Sequence, residues 1–176
     1  MHDIRPIRAK SGTNHEGTGA HNRRVMIDAL RVNGALSRAD LSRATLLSKQ
    51  AVSNIIEELE LDGLVCSEDV VRKGRGQPST PYRLVPEGAF AIGLQIDRHV
   101  TRALAVDLVG NVLVRAEAKL PSDGPASGVQ VILDLIGDVR DALTGKVAQA
   151  ETRLVGLGVA MPGPFGLEAS GDDPWM

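Results

Sequence analysis

Lys49, Gln50, Ser53 and Asn54 have the side-chain types and the spacing to read base-pair edges from one end of a helix. Glutamine and asparagine amides can each pair bidentately with adenine, and lysine and serine can contact phosphates or bases, which suits the major groove of double-stranded DNA. These residues are what the apolar pattern leaves facing out: Val52, Ile55, Ile56 and Leu59 fall at i, i+3, i+4 and i+7, so that face turns inward. Ser48 precedes them as a predicted N-cap and completes the candidate reading turn. A second, basic group follows in Arg72, Lys73 and Arg75, set among Gly74 and Gly76. Glycines let a backbone run close to a surface, and an arginine flanked by them can enter a narrow minor groove or meet phosphates.

Both groups need elements to hold them. Ser37 is a predicted N-cap with Asp40 three residues on, and Leu41 and Ala44 give a short apolar face. With a turn at Thr45 to Leu47, the stretch from Ser37 to Leu59 reads as a helix-turn-helix; the competing reading is an ordinary helical hairpin with a solvated polar face. Asp62-Gly63-Leu64-Val65 looks like a helix C-terminus with a glycine cap, leading into a strand through Glu68. Val70 to Leu84 then reads as two strand-like segments around the basic loop, which is either the wing of a winged helix or a solvated hairpin tip. A first helix is predicted from Asn22 to Val32. Residues 1–20, with little periodicity, read as a disordered N-terminal arm, and residues 21–85 as the DNA-binding domain.

Composition narrows the classes. The chain has 176 residues, of which 43% are apolar, enough for one or two domains with a core. Its net charge of −2 hides an asymmetry: residues 1–83 carry 13 Lys and Arg against 10 Asp and Glu, and residues 84–176 carry 7 against 12. A basic half beside an acidic half suggests that only the first meets a polyanion. The single cysteine, Cys66, excludes an intramolecular disulfide and an all-cysteine metal site, and its place in a predicted strand makes it a small buried apolar residue. His2, His15 and His21 lack ligand-like spacing, so no metal is expected. No apolar run reaches membrane-spanning length and no hydrophobic segment follows the N-terminal charges, so a cytoplasmic protein is expected.

Beyond the Pro86-Glu-Gly88 turn the pattern changes, and residues 89–176 form the second domain. Phe90 to Ile96, Arg102 to Leu108 and Val112 to Ala118 are predicted strands, with a turn at Gly110-Asn111. After a loop from Pro121 to Gly128, a helix is predicted with Val129, Ile132, Leu133, Ile136, Val139 and Leu143 in one apolar stripe, followed by a buried strand from Leu154 to Ala160. This β-β-β-α-β order is an α/β start with an antiparallel flank.

Asn22-Arg-Arg-Val25, the Ser37–Leu59 helix pair, Asp62-Gly-Leu64, Gly74-Arg-Gly-Gln-Pro78, Ala91-Ile-Gly-Leu-Gln-Ile-Asp97 and Gly156-Leu-Gly-Val-Ala-Met-Pro-Gly163 carry a resemblance in their order and spacing. Over residues 20–170 the chain resembles the ROK family (repressors, open reading frames, kinases), and within it the xylose-repressor-like transcriptional regulators. The resemblance implies an α+β winged helix-turn-helix domain followed by a partial α/β domain of the actin/hexokinase-like (ribonuclease H-like) type. It also implies a homodimeric, sequence-specific DNA-binding regulator, a repressor of carbohydrate-metabolism genes that answers to a sugar effector, with no cofactor and no catalytic residues. The alternatives are a ROK-type sugar kinase relative and a non-functional fragment. Kinases of this family carry Asp-x-Gly-Gly-Thr in the first hairpin, since close approach to ATP phosphates needs glycine. Here the segment is Asp97-Arg-His-Val-Thr101, so no phosphate cradle is expected and Thr101 reads as a strand residue. The family's Asn-Asp catalytic pair, its Glu and His sugar contacts and its cysteine-rich zinc motif would lie beyond Met176, so the chain reads as truncated within the kinase-like half, with sugar binding weakened or lost.

Overall fold

The computed structural model describes residues 19–69, 79–122 and 125–161. The expectations placed on the N-terminal residues 1–18, on the wing tip with Arg72, Lys73 and Arg75, and on residues 162–176 lie outside the described residues.

Helix α1 (Gly19–Asn33) takes in Gly19 and Ala20, which the sequence reading leaves in the arm. It is followed by a two-residue strand β1 (Leu36–Ser37) that no periodicity announces, and by α2 (Arg38–Thr45). Ser37 caps α2 as expected: its Oγ accepts from the Asp40 N–H at 3.2 Å, and the Asp40 carboxylate accepts from the Ser37 N–H at 3.3 Å, a reciprocal capping box. The turn after α2 is held by side chains. Ser42 Oγ donates to the Leu47 carbonyl at 2.7 Å, Thr45 Oγ1 donates to the Leu41 carbonyl at 2.7 Å, and Leu46 adopts a left-handed φ of 60°. Ser48 then caps α3 (Lys49–Leu61).

The end of α3 closes in a Schellman motif. The Leu64 N–H reaches the Leu59 carbonyl at 2.9 Å and the Gly63 N–H reaches the Glu60 carbonyl at 3.0 Å. Gly63 sits at a φ of +70°, where a Cβ would be strained, so the predicted glycine cap is present. Strands β2 (Val65–Ser67) and β3 (Pro81–Leu84) pair antiparallel, and β1 adds to the other edge of β3, giving the order β1-β3-β2. Met26, Leu30, Leu41, Val52, Ile56 and Leu59 interlock with Leu36, Val65, Tyr82 and Leu84 in one core. Cys66 departs from its expected place and is only half-buried, because it alternates with the inward Val65.

A one-turn 3-10 helix, Pro86–Gly88, joins this unit to the second. It is stitched by backbone on both sides: the Val85 N–H donates to the Leu64 carbonyl at 2.9 Å and the Leu108 N–H to the Pro86 carbonyl at 3.0 Å. Strands β4 (Phe90–Ile96), β5 (Val100–Asp107) and β6 (Val112–Lys119) form an antiparallel meander. The crossover through α4 (Pro125–Lys146) and a short α5 (Ala150–Arg153) returns β7 (Leu154–Ala160) parallel to β4, so the sheet order is β6-β5-β4-β7. Helix α4 begins at Pro125 and runs through Gly128, and α5 carried no signal in the sequence. Two expectations need correcting: on α4, Leu135, Val139 and Leu143 are buried whereas Val129 and Leu133 are exposed, and β7, expected to be buried, is exposed from Val155 to Ala160 because α4 packs away from it.

Candidate nucleic-acid interface

The candidate reading surface is the first two turns of α3, and its geometry follows from the face opposite. Val52, Ile56 and Leu59 are fully buried and Ile55 nearly so, which fixes the rotation of the helix and leaves Lys49, Gln50 and Asn54 exposed. The Ala51 N–H donates to Ser48 Oγ at 3.2 Å, so this hydroxyl oxygen is occupied as a cap while its own proton stays available. Gln50 Nε2 donates to Asn54 Oδ1 at 2.8 Å. That bond uses one of the two Nε2 protons. The other proton and Oε1 remain, which is the pair of groups that an adenine edge takes. Ser53 is half-buried and is drawn toward the neighbouring helix.

Arg38 draws it, and this residue was not singled out from the sequence. Its Nη1 lies 3.5 Å from Ser53 Oγ, its Nη2 3.8 Å from Glu57 Oε1, and its guanidinium stands 5.3 Å from the centre of the Tyr82 ring. The arrangement holds a partly exposed cation beside the reading face through a π contact and an ion pair. The sequence signal was a basic residue at the first position of a helix, where the dipole favours an acid and some outside contact must supply the reason.

Carboxylates on α3 would repel phosphate, and two of them are paired. Glu57 meets Arg38, and Glu58 takes a hydrogen bond from Arg23 Nη1 at 3.0 Å while Asp62 accepts from the same guanidinium. The Asp62 hydrogen bond raises the Arg23 pKa above its ordinary value against the opposing pull of burial. At the start of α2, burial pulls the Asp40 carboxyl up. The hydrogen bonds from the Ser37 hydroxyl and from Arg43, with the Ser37 N–H, outweigh that and hold it below the usual aspartate value.

The strands that lead to the basic loop are paired up to its edge: the Glu68 N–H donates to the Pro81 carbonyl at 2.8 Å and Arg83 Nε lies 3.3 Å from Glu68 Oε1. In the second half, the β4–β5 hairpin occupies the place where the resemblance puts a phosphate loop. Two of its amides are already bonded within the hairpin: the Asp97 N–H donates to the Val100 carbonyl at 3.0 Å and the Arg98 N–H to Asp97 Oδ1 at 2.7 Å. Thr101 is buried in β5 and donates to the Gln95 carbonyl at 3.2 Å. Among the described residues there is no cluster of His, Cys, Asp and Glu able to hold a metal, and no helix long and apolar enough to cross a membrane.

Residues 26–76 match the MarR family. The chain is 26% identical over 147 residues to the xylose repressor of Bacillus spizizenii and 24% identical over 147 residues to that of Bacillus subtilis. Each alignment covers 81% of this chain and 36% of the repressor, so the chain spans about a third of the length of these relatives. In fold it is similar to a ROK family transcriptional regulator, a homologue of the Escherichia coli MLC protein, with a TM-score of 0.61 at 19% identity over 84% of this chain and 37% of the other. The likeness extends through both halves, the helix-turn-helix unit and the sheet that follows it.

Proposed function

We propose that this chain, a relative of the ROK-family transcriptional regulators, is itself a sequence-specific DNA-binding regulator that acts as a repressor of carbohydrate-metabolism genes in the cytoplasm. One observation carries the reading: an exposed, pre-oriented Gln50–Asn54 amide pair on the first two turns of a helix that buries Val52, Ile55, Ile56 and Leu59 in the core on its other side. Only the N-terminal residues of a recognition helix need enter the major groove, and they are the polar ones here. Lys49, Ser48 and Arg38 stand close enough to that turn to contact phosphates or base edges, with Ser53 as a nearer-buried neighbour. Arg72, Lys73 and Arg75 of the basic loop would take the adjacent minor groove or backbone. Two copies related by a two-fold axis would read a palindromic site. A sugar effector is the regulatory ligand that fits the name of the xylose repressors this chain resembles.

Catalysis is not part of the reading. A phosphate cradle needs free backbone N–H groups and room for phosphate, and the Asp97–Val100 hairpin has already used two such groups and presents Arg98 and His99 at its tip. The test is selection of DNA from a random pool by the purified chain, followed by fluorescence anisotropy on the selected and a scrambled duplex at fixed salt. Specific binding should exceed non-specific binding by a factor on the order of 10³ or more. Equal affinity for the two duplexes, or sugar-dependent ATP turnover, would overturn the proposal.

A further inference from the structure

Arg153 crosses between the two halves of the molecule at the foot of the DNA-reading helix. It is the last residue of α5, and its Nη1 donates to the Gly88 carbonyl at 2.9 Å and lies 3.4 Å from the Asp62 carbonyl. Asp62 is the C-cap of α3, so the guanidinium faces the negative pole of that helix and a carbonyl just past its last turn. The socket is built from two glycines. A Cβ on Gly63 would stand 3.1 Å from Arg153 Nη2, and one on Gly88 would stand 2.9 Å from the Gly63 carbonyl oxygen. Behind the side chain the anchor is firm: Ala150 of α5 is fully buried, and Leu154, the residue after Arg153, opens β7 in register with Phe90 of β4.

We propose that Arg153 is a positioning residue for DNA recognition: it locks the C-terminal end of α3 to the four-stranded sheet and so sets the angle at which the second half presents the reading turn. The proposal rests on the DNA-binding reading above. Arg153 touches neither base nor phosphate and acts through α3. The Pro86–Gly88 turn is already stitched to both halves by backbone hydrogen bonds, and the arginine adds a side-chain tie between residues 91 positions apart in sequence. A displacement of β7 is thereby passed to the recognition helix.

The experiment uses the full chain in a Cys66→Ser background with spin labels at Ala39→Cys on α2 and Asp138→Cys on α4, both exposed, read by pulsed dipolar distance measurement without DNA. Arg153→Ala should broaden the distance distribution, Arg153→Lys should narrow it again in part, and Arg140→Ala, whose nearest partner is the adjacent Asp141, should leave it unchanged. In parallel, anisotropy on a duplex selected by the unlabelled parent chain should show Arg153→Ala weakened roughly fivefold or more on that duplex, with binding to scrambled DNA kept. An unaltered distance distribution in Arg153→Ala would overturn the positioning role. A parent chain that selects no DNA would overturn the DNA-binding reading and, with it, the role in recognition, while the distance arm still decides whether the arginine sets the angle.

Discussion

Gln50→Ala should cost sequence discrimination and almost nothing else. Its amide is exposed and makes one intramolecular bond, to Asn54, and an i,i+4 pair on a helix surface contributes about 0.2–0.5 kcal/mol. A lost bidentate base contact costs on the order of 1–3 kcal/mol, which is roughly a 5- to 150-fold drop in affinity for the specific duplex alone. The second effect exceeds the first by several-fold, so unfolding and recognition can be read separately. Asn54 offers a sharper check. Its Oδ1 holds the Gln50 amide in the orientation that leaves one Nε2 proton and Oε1 free, so Asn54→Ala should lose part of the same discrimination by loosening Gln50. The double variant should then lose less than the sum of the two single losses, since the residues act as one unit. Anisotropy titrations of the four proteins on selected and scrambled duplexes, with urea unfolding of each, provide the cycle. Additive losses would show that the two amides read separate bases. Equal weakening on both duplexes would refute base readout by this turn altogether.

Three further outcomes are expected. Asp40→Ala should lower stability by about 1 kcal/mol at neutral pH through loss of the capping box. Because the folded-state pKa of Asp40 is depressed, this stabilisation is present above the ordinary aspartate value and fades as pH falls through the lower folded value, so the gap between parent and variant should close below about pH 4. Urea midpoints at neutral and acid pH check it, and a constant gap would contradict it. Gly34→Ala, at φ +74° with open space around it, should cost only the left-handed backbone strain of about 1–2 kcal/mol, whereas Gly63→Ala at φ +70° must also displace the Arg153 guanidinium and should cost more; equal losses in chemical unfolding would argue against the close packing. Arg75→Ala should weaken binding to every duplex and lower the slope of log affinity against log salt by about one, as loss of a single phosphate contact requires; an unchanged slope would place the residue away from DNA.

The helix-turn-helix was legible because its signals are local. Ser37 and Ser48 are caps, Asp40 sits three residues after the first of them, and the apolar spacing of α3 carries its burial pattern without reference to anything distant. Gly63 was legible for the same reason, since a helix end in the left-handed conformation calls for glycine. Strand β1 was not, because two residues hold no periodicity and Leu36 pairs with Tyr82 only through the chain's return 46 positions later. Arg38 was missed on similar grounds: Ser53, Glu57 and Tyr82 become its neighbours only once α2, α3 and β3 are packed. The exposed polar face at the start of α3 could be placed from types and spacing, but the bond between Gln50 and Asn54 needed coordinates to tell a pre-oriented pair from two independent side chains.

The misassigned stripe on α4 has a physical origin that reaches across the second half. On the inner face of the sheet, β5 and β6 present Ala103, Ala105, Ala116 and Ala118, and these small residues let the helix settle over that side. Helix α4 therefore packs mainly on β6 and β5, less on β4, and least on β7. Ile92 and Leu94 are buried beneath it, yet their parallel partners Leu157 and Val159 remain 47% and 53% exposed. The same offset turns Leu135 inward and leaves Val129 and Leu133 out, although their spacing fits the stripe as well. Hydrophobic periodicity finds the faces that can be buried, and the sizes of the residues opposite decide which of them is. The sheet is thus apolar over a wider area than one helix covers, and the uncovered margin follows β7, the strand that begins directly after Arg153. The tie between Arg153, which leads into that strand, and the foot of α3 joins the least-covered edge of the second half to the helix proposed to read DNA.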